Sequence, residues 1–243
     1  MKVSVIIPAY NEKKRLPRSL RIISNYLLSH ALSYEIIVVS DGSTDNTAQT
    51  VKKMGLENIR LVEYHPNRGK GYAVRMGFQE AAGDVVLLSD ADLSTPISEY
   101  GKLFSYFQKG YEVVLGSRGL PESEVKLPQK CHRRFMGKTF NSMVQLFIVR
   151  GFQDTQCGFK LLSGKAVKEI LPRMTLNGFA FDVELVLIAQ KSGFKIIEVP
   201  VKWYNSPESR VLIWRDPLRM FAELFSIFIR SKTGKYEKNK TVS

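Results

Sequence analysis

The stretch at residues 83–96, GDVVLLSDADLSTP, constrains this chain more than any other. Its apolar run Val85–Leu88 sits between Gly83-Asp84 and Ser89-Asp90, the pattern of a fully buried central strand. Chemistry belongs where such a strand ends. Asp90 and Asp92 are one residue apart, so an extended or turning backbone brings both carboxylates to one face of a small polyanion and its divalent cation. A hard cation such as Mg²⁺ is held by one or two carboxylates plus substrate phosphates, without His or Cys. The same acids also suit an ordinary strand-ending turn.

Three strand–helix units lead into that strand. Residues 3–7 are an apolar run ended by Pro8-Ala9-Tyr10-Asn11-Glu12, with a helix to about residue 28. In a parallel sheet this loop lies at the carboxyl edge, where Tyr10 can stack on a base and Glu12 can accept from a ribose or base. Asn11 reads as the cap of the following helix. Residues 35–39 form the second strand, and Ser40-Asp41-Gly42-Ser43-Thr44-Asp45 follows. Gly42 permits a tight turn and Ser43 or Thr44 can cap the next helix. Asp41 then either accepts from a base N–H or serves the turn. After a third strand near 59–63, the glycines around Lys70 let the backbone approach a phosphate, with the positive end of the next helix directed outward. The Walker A spacing GxxxxGK[ST] is missing, which argues against an ATPase.

This alternation predicts a parallel, right-handed, doubly wound sheet, extended by a helix at 97–109 and a strand at 112–115 that ends in Gly116-Ser117-Arg118. Residues 126–138 are basic, and 135–149 form an apolar helix carrying Met136, Phe140, Met143 and Phe147. That pairing fits a membrane-surface element or ordinary core packing. In Asp154-Thr155-Gln156-Cys157-Gly158-Phe159-Lys160, an acid, an amide and a base suit a polar pocket beside the nucleotide edge. Alternatively Asp154 caps a turn and Lys160 is solvated. A helix at 182–191 reads as mostly core; Asp182 and Glu184 either face the site or, the preferred reading, are helix-start acids favoured by the dipole. A strand at 195–201 is interrupted by Pro200. Asp216-Pro217 opens an amphipathic helix with an apolar stripe of Leu218, Phe221, Leu224, Phe225, Phe228 and Ile229. The expected organisation is one domain over 1–230 and a basic, flexible tail over 231–243, disordered beyond about Tyr236.

With 243 residues, 44% of them hydrophobic, the chain can bury the core of one large α/β domain. Its formal charge of +13 calls for an acidic partner: nucleic acid, an anionic membrane or a phosphorylated substrate. Cys131 and Cys157 have no metal-ligand or disulfide-framework spacing, and a reducing cytoplasm is the simplest home. The N-terminus begins directly with a strand-like run, without signal-peptide features. No stretch reaches the roughly 18 apolar residues that span a bilayer. A soluble protein, or one peripheral on the cytoplasmic face of a membrane, is expected.

Taken together, the stretches from Ile7 to Glu12, Asp41-Gly42-Ser43, the Asn67-to-Val74 segment, Asp90-Ala91-Asp92, Gly116-Ser117-Arg118 and the Asp154-to-Lys160 segment resemble family-2 glycosyltransferases of the GT-A fold. Within that family the chain resembles the dolichyl-phosphate sugar transferases. DADLSTP and DTQCGFK are similar to the β-glucosyl branch more than to the mannosyl branch. Two departures stand out: Ser40 precedes Asp41 where an acidic pair is common, and the N-terminal membrane anchor of eukaryotic members is missing. The second favours a bacterial or archaeal peripheral protein.

The resemblance implies a Rossmann-like, mostly parallel sheet with helices on both faces and a C-terminal amphipathic helix. It implies that Pro8, Tyr10, Glu12 and Asp41 hold the nucleoside, with Lys70 nearby. Asp90, Ala91 and Asp92 would serve the ribose–diphosphate, Asp90 and Asp92 also binding Mg²⁺ or Mn²⁺. Arg118, Arg133 and Arg210 would face the acceptor and donor phosphates, and Asp154 would complete the catalytic set. The implied reaction is inverting transfer from UDP-glucose to a dolichyl or polyprenyl phosphate at the membrane surface. Such an acceptor is already an anionic nucleophile, so a dedicated general base is less necessary.

Rival readings are mannosyl transfer from GDP-mannose, transfer to a sugar hydroxyl, and a basic nucleic-acid-binding protein. The QxxRW pattern of processive relatives is missing. No helix-turn-helix, zinc or RNP signature is present either, so no nucleic acid partner is expected.

Overall fold

The computed structural model describes residues 1–30, 32–126, 131–205 and 216–237. Its strands are β1 (Lys2–Ala9), β2 (Ser33–Asp41), β3 (Ile59–Tyr64), β4 (Val85–Leu88), β5 (Val113–Ser117), β6 (Glu124–Lys126), β7 (Lys160–Ser163), β8 (Ile196–Pro200) and β9 (Lys202–Tyr204). Its helices are α1 (Leu16–Ser29), α2 (Thr47–Lys53), α3 (Lys70–Glu80), α4 (Tyr100–Gln108), α5 (Cys131–Phe147), α6 (Gly164–Ile170), α7 (Phe181–Lys191) and α8 (Asp216–Lys232).

Strand side chains alternate between faces with a period of two, and here both faces are apolar. Val3, Val5, Ile7, Val85 and Leu87 pack toward α1 and α4, whereas Ile6, Val86 and Leu88 pack toward α3, α6 and α7. Each such fully buried aliphatic side chain contributes roughly 1.5–3 kcal/mol. The two layers enclose a seven-stranded sheet of order β3-β2-β1-β4-β7-β5-β8, with β6 and β9 forming a separate two-stranded ribbon. The sheet is parallel except for β7, which runs antiparallel between β4 and β5. That strand was not expected. Its reversal carries Lys160 to the carboxyl ends of its neighbours, opposite Leu88 on one side and Leu115 on the other.

Several local expectations are corrected. Asn11 does not cap α1: in a left-handed turn (φ 56°), its Oδ1 accepts from Thr44 N at 2.8 Å and joins the first two loops. Neither Ser43 nor Thr44 caps α2, because Asp45 Oδ1 accepts from Thr47 N at 3.1 Å. Gly42 does occupy the left-handed region (φ 63°), and a Cβ there would sit 2.2 Å from Asn67 N.

The tail does not begin at 231. Tyr236 is fully buried, and its hydroxyl donates to Glu184 Oε1 at 2.8 Å. Packing of the chain therefore continues to Glu237, and residues 238–243 lie outside the described residues. On α5, Phe140 belongs to the core and stacks toward Phe221 of α8 with ring centroids 6.0 Å apart. Met143 is half-buried and Phe147 exposed, while the side chain of Met136 lies outside the described residues. The α8 stripe divides likewise: Leu224 is buried, Phe221 and Phe228 are half-buried, Phe225 and Ile229 face outward, and the side chain of Leu218 lies outside the described residues; Ile227, not in the expected stripe, is buried as well. No helix among the described residues is long and apolar enough to cross a membrane.

Candidate active site

The carboxyl ends of β1, β2, β4 and β5 and the reversed start of β7 converge on one edge of the sheet. Asp90 follows β4, and its Oδ1 lies 2.7 Å from Lys70 Nζ at the start of α3. Burial alone would push its carboxyl up, but Lys70, Lys160 and Arg118 more than offset this and hold it below the ordinary carboxylate range. Burial works against the charge on Lys70 as well, yet Asp90 and Asp182 raise it above the usual lysine value. Gly158 presses on the other side, where a Cβ would stand 2.0 Å from Asp90 Oδ2. Ala91 is buried, and its carbonyl accepts from Ser19 Oγ at 2.7 Å. Asp92 is half-buried: Oδ1 accepts from Ser94 N at 3.0 Å, and Oδ2 lies 3.8 Å from Arg15 Nη1. On the α1 side of Asp92 a cleft is lined by Lys14, Arg15, Arg18 and Tyr26.

Arg15 also grips Glu12, donating from Nε to Oε2 at 2.7 Å, so the acid expected to meet a nucleoside already holds a cation. Tyr10 is 40% exposed beside it, and Pro8 is half-buried in β1. Asp41, expected at a base, is instead occupied by the loop into α3. Its oxygens accept from Arg68 N at 2.7 Å, Gly69 N at 2.9 Å and Asn67 Nδ2 at 2.9 Å. Nor is the start of α3 open to a phosphate. The Asn177 carbonyl accepts from Gly71 N at 2.8 Å and Tyr72 N at 3.3 Å, consuming donors that the sequence reading left to a ligand.

Arg118 and Asp154, predicted as separate catalytic residues, form one bidentate pair. Nε donates to Oδ2 at 2.6 Å and Nη2 to Oδ1 at 2.8 Å, while Arg118 N adds a third bond to Oδ2 at 2.9 Å. Burial would raise Asp154, but Arg118 holds it below its ordinary value. The guanidinium lies 5.5 Å from the Trp203 ring centroid. Glu198 secures the assembly from below, accepting from Asp154 N at 2.7 Å. Arg133 falls on α5, its side chain outside the described residues, and Arg210 lies outside them altogether.

Lys160, read as either a pocket base or a solvated lysine, meets Asp182 inside the fold. Lys160 is fully buried, not solvated, and donates to Asp182 Oδ1 at 2.5 Å and to the Cys157 carbonyl. Burial outweighs Lys160 and Lys70 at Asp182 and pushes its carboxyl up. Glu184 is likewise no surface acid, since it accepts from Thr175 N, Leu176 N and Tyr236 Oη. A signal existed. Every residue from Phe181 to Ala189 is buried, and a helix apolar on all sides must pair its acids internally.

Among the described residues no cluster of three or more His, Cys, Asp or Glu side chains could hold a metal ion. The pair Asp90 and Asp92 still fits Mg²⁺ or Mn²⁺, because such ions accept one or two carboxylates and complete their shell from substrate phosphate and water.

Residues 4–171 match the Glycosyl transferase family 2 family. The chain belongs to that family. It is 36% identical to a dolichyl-phosphate beta-glucosyltransferase of Drosophila melanogaster over 96% of this chain and 76% of the relative. With the dolichyl-phosphate beta-glucosyltransferase of Homo sapiens it shares 33% identity over 98% of this chain and 78% of that protein. The chain is thus a glycosyltransferase similar to dolichyl-phosphate beta-glucosyltransferases. Its fold matches mannosyl-3-phosphoglycerate synthase from Rubrobacter xylanophilus (TM-score 0.73, 19% identity, 100% of this chain and 77% of that one). It also matches glucosyl-3-phosphoglycerate synthase from Mycobacterium tuberculosis in complex with Mn²⁺, uridine diphosphate and glucosyl-3-phosphoglycerate (TM-score 0.72, 18% identity, 93% and 80%). These likenesses establish the GT-A architecture expected from the sequence.

Proposed function

We propose that this glycosyltransferase moves glucose, with inversion, from UDP-glucose to a dolichyl or other polyprenyl phosphate. The observation that carries the acceptor class is the engagement of the site's carboxylates. Asp90 meets Lys70, Asp154 meets Arg118, Asp182 meets Lys160, Glu12 meets Arg15, and Asp41 accepts from backbone N–H groups. A hydroxyl acceptor needs a base to take its proton, whereas a phosphate brings its own negative charge. The engaged site therefore suits the phosphate. The likeness to relatives named dolichyl-phosphate beta-glucosyltransferase supports the same reading.

In this reading Pro8, Tyr10 and Glu12 form the nucleoside wall, completed by the 67–69 loop that Asp41 holds. Asp90 and Asp92 hold Mg²⁺ or Mn²⁺, which when bound offsets charge developing on the departing diphosphate. Arg118, its Nε and Nη2 held by Asp154 and its face walled by Trp203, keeps its Nη1 edge for an oxyanion. By the resemblance alone, Arg133 and Arg210 would serve the acceptor and donor phosphates.

The acceptor's prenyl chain stays in a bilayer, so the site must reach the headgroup layer, with the chain peripheral on the cytoplasmic face. Leu146, Phe147, Phe225 and Ile229 are exposed on the adjoining helices α5 and α8, and the chain carries +13. Each basic residue near an anionic leaflet contributes about 1 kcal/mol, and exposed apolar side chains add a salt-resistant share.

A donor panel of UDP- and GDP-sugars with a short polyprenyl phosphate, read by product mass, tests this. One hexose from UDP-glucose is expected on the lipid phosphate. Preference for GDP-mannose, or transfer only to hydroxyl acceptors, overturns it.

A further inference from the structure

Lys70 occupies the place of a site cation. Its ammonium lies 2.7 Å from Asp90 Oδ1, and Gly158 packs so close to that carboxylate that a Cβ there would stand 2.0 Å from Oδ2. Permanent structural pairs look different: Lys160 and Asp182 are sealed, with side-chain exposures of 0% and 5%. Lys70 and Asp90 are 23% and 34% exposed, open to solvent and ligand. A second resting place adjoins the first. The ammonium stands 5.8 Å from the Phe181 ring centroid.

We propose that Lys70 is an exchangeable counter-ion, covering Asp90 until a divalent cation binds and then moving toward Phe181 and the donor diphosphate. This rests on the reading of Asp90 and Asp92 as metal carboxylates. An ammonium against Asp90 Oδ1 and a divalent ion on the same oxygen repel, so one must yield. While Lys70 covers Asp90, the apparent metal affinity falls by the fraction of molecules in which the oxygen is free. Once displaced, the ammonium meets the phosphates of the incoming nucleotide. Metal and donor therefore bind cooperatively, and linkage makes the effect reciprocal. The exchange also keeps Asp90 neutralised in both states, so its partly buried charge is never left alone.

Two measurements test the exchange. In the first, Mn²⁺ is titrated without nucleotide into wild type, Lys70→Met, Asp90→Asn and Asp92→Asn, with free Mn²⁺ followed by electron paramagnetic resonance and folding checked by thermal melt. Lys70→Met is expected to bind Mn²⁺ about tenfold tighter than wild type. Failure of Lys70→Met to bind, or to bind more tightly, overturns the exchange. If Asp90→Asn and Asp92→Asn both bind Mn²⁺ like wild type, the metal-carboxylate reading itself falls. In the second, acylation of Lys70 in the wild-type protein is read by peptide mass spectrometry. It should rise with Mg²⁺ alone and fall when UDP is then added. Acylation that Mg²⁺ leaves unchanged overturns the exchange and would reduce any tighter Mn²⁺ binding to a field effect.

Discussion

Replacing Asp182 by Ala isolates the buried charge pair beneath the site. Lys160 Nζ donates to Asp182 Oδ1 at 2.5 Å and to the Cys157 carbonyl, and neither side chain exceeds 5% exposure. Without the carboxylate the fully buried ammonium keeps the neutral Cys157 carbonyl as its acceptor. Removing one partner of such a pair costs about 3–5 kcal/mol. In a domain of this size each kcal/mol moves the melting temperature by roughly 2–4 °C, so Asp182→Ala should melt about 6–20 °C lower. Lys160→Met should cost less, because Asp182 already has a raised pKa and can take up a proton. The double variant Lys160→Met/Asp182→Leu removes both charges and keeps the volume, so it should return close to wild type. Scanning calorimetry on these four proteins, with the single variant Asp182→Leu added so that the double-mutant cycle closes, measures the differences. A loss below about 1 kcal/mol for Asp182→Ala, or a double variant worse than the two singles combined, refutes the reasoning.

Other perturbations follow from the same geometry. Asp154 titrates below its ordinary value in the folded chain, so its stabilisation is complete above an unfolded pKa of 3.8 and is lost as pH falls through the lower folded value. Urea midpoints between about pH 5 and pH 2 should therefore fall less steeply in Asp154→Asn than in wild type. Phe225 is 66% exposed, so Phe225→Asp should leave stability within about 0.5 kcal/mol while reducing flotation with anionic vesicles. Unfolding of that variant, or unchanged flotation, counts against the docking face. Tyr236→Phe deletes the hydroxyl that donates to buried Glu184 and should cost about 1.5–3 kcal/mol in urea denaturation. A neutral result would mean that the end of the chain is not locked to the core.

The central strand was legible because Val85–Leu88 is buried on both faces, and a chain removed from water on two sides writes its strands as unbroken apolar runs. The same logic located β1, β2 and β5, and with them the carboxyl edge that carries Tyr10, Asp41, Asp90 and Arg118. It could not reveal β7. A four-residue strand has no direction in its own sequence, and its antiparallel placement is set by hydrogen bonding to β4 and β5. That placement lifts Lys160 to the site and seals it. Sequence also named residues without naming their partners: Arg118 and Asp154 were both in view, yet only the fold shows them as a single pair. The partners of Asp41 and of the start of α3 stayed out of view for the same reason, since the atoms that satisfy them come from the 67–69 loop and from Asn177. Local pattern reports what each residue must do about water, and it did so here through strand burial and the apolar surround of Asp182 and Glu184. Which charge answers which is a long-range matter, decided by strand order and by the loops that the order brings together.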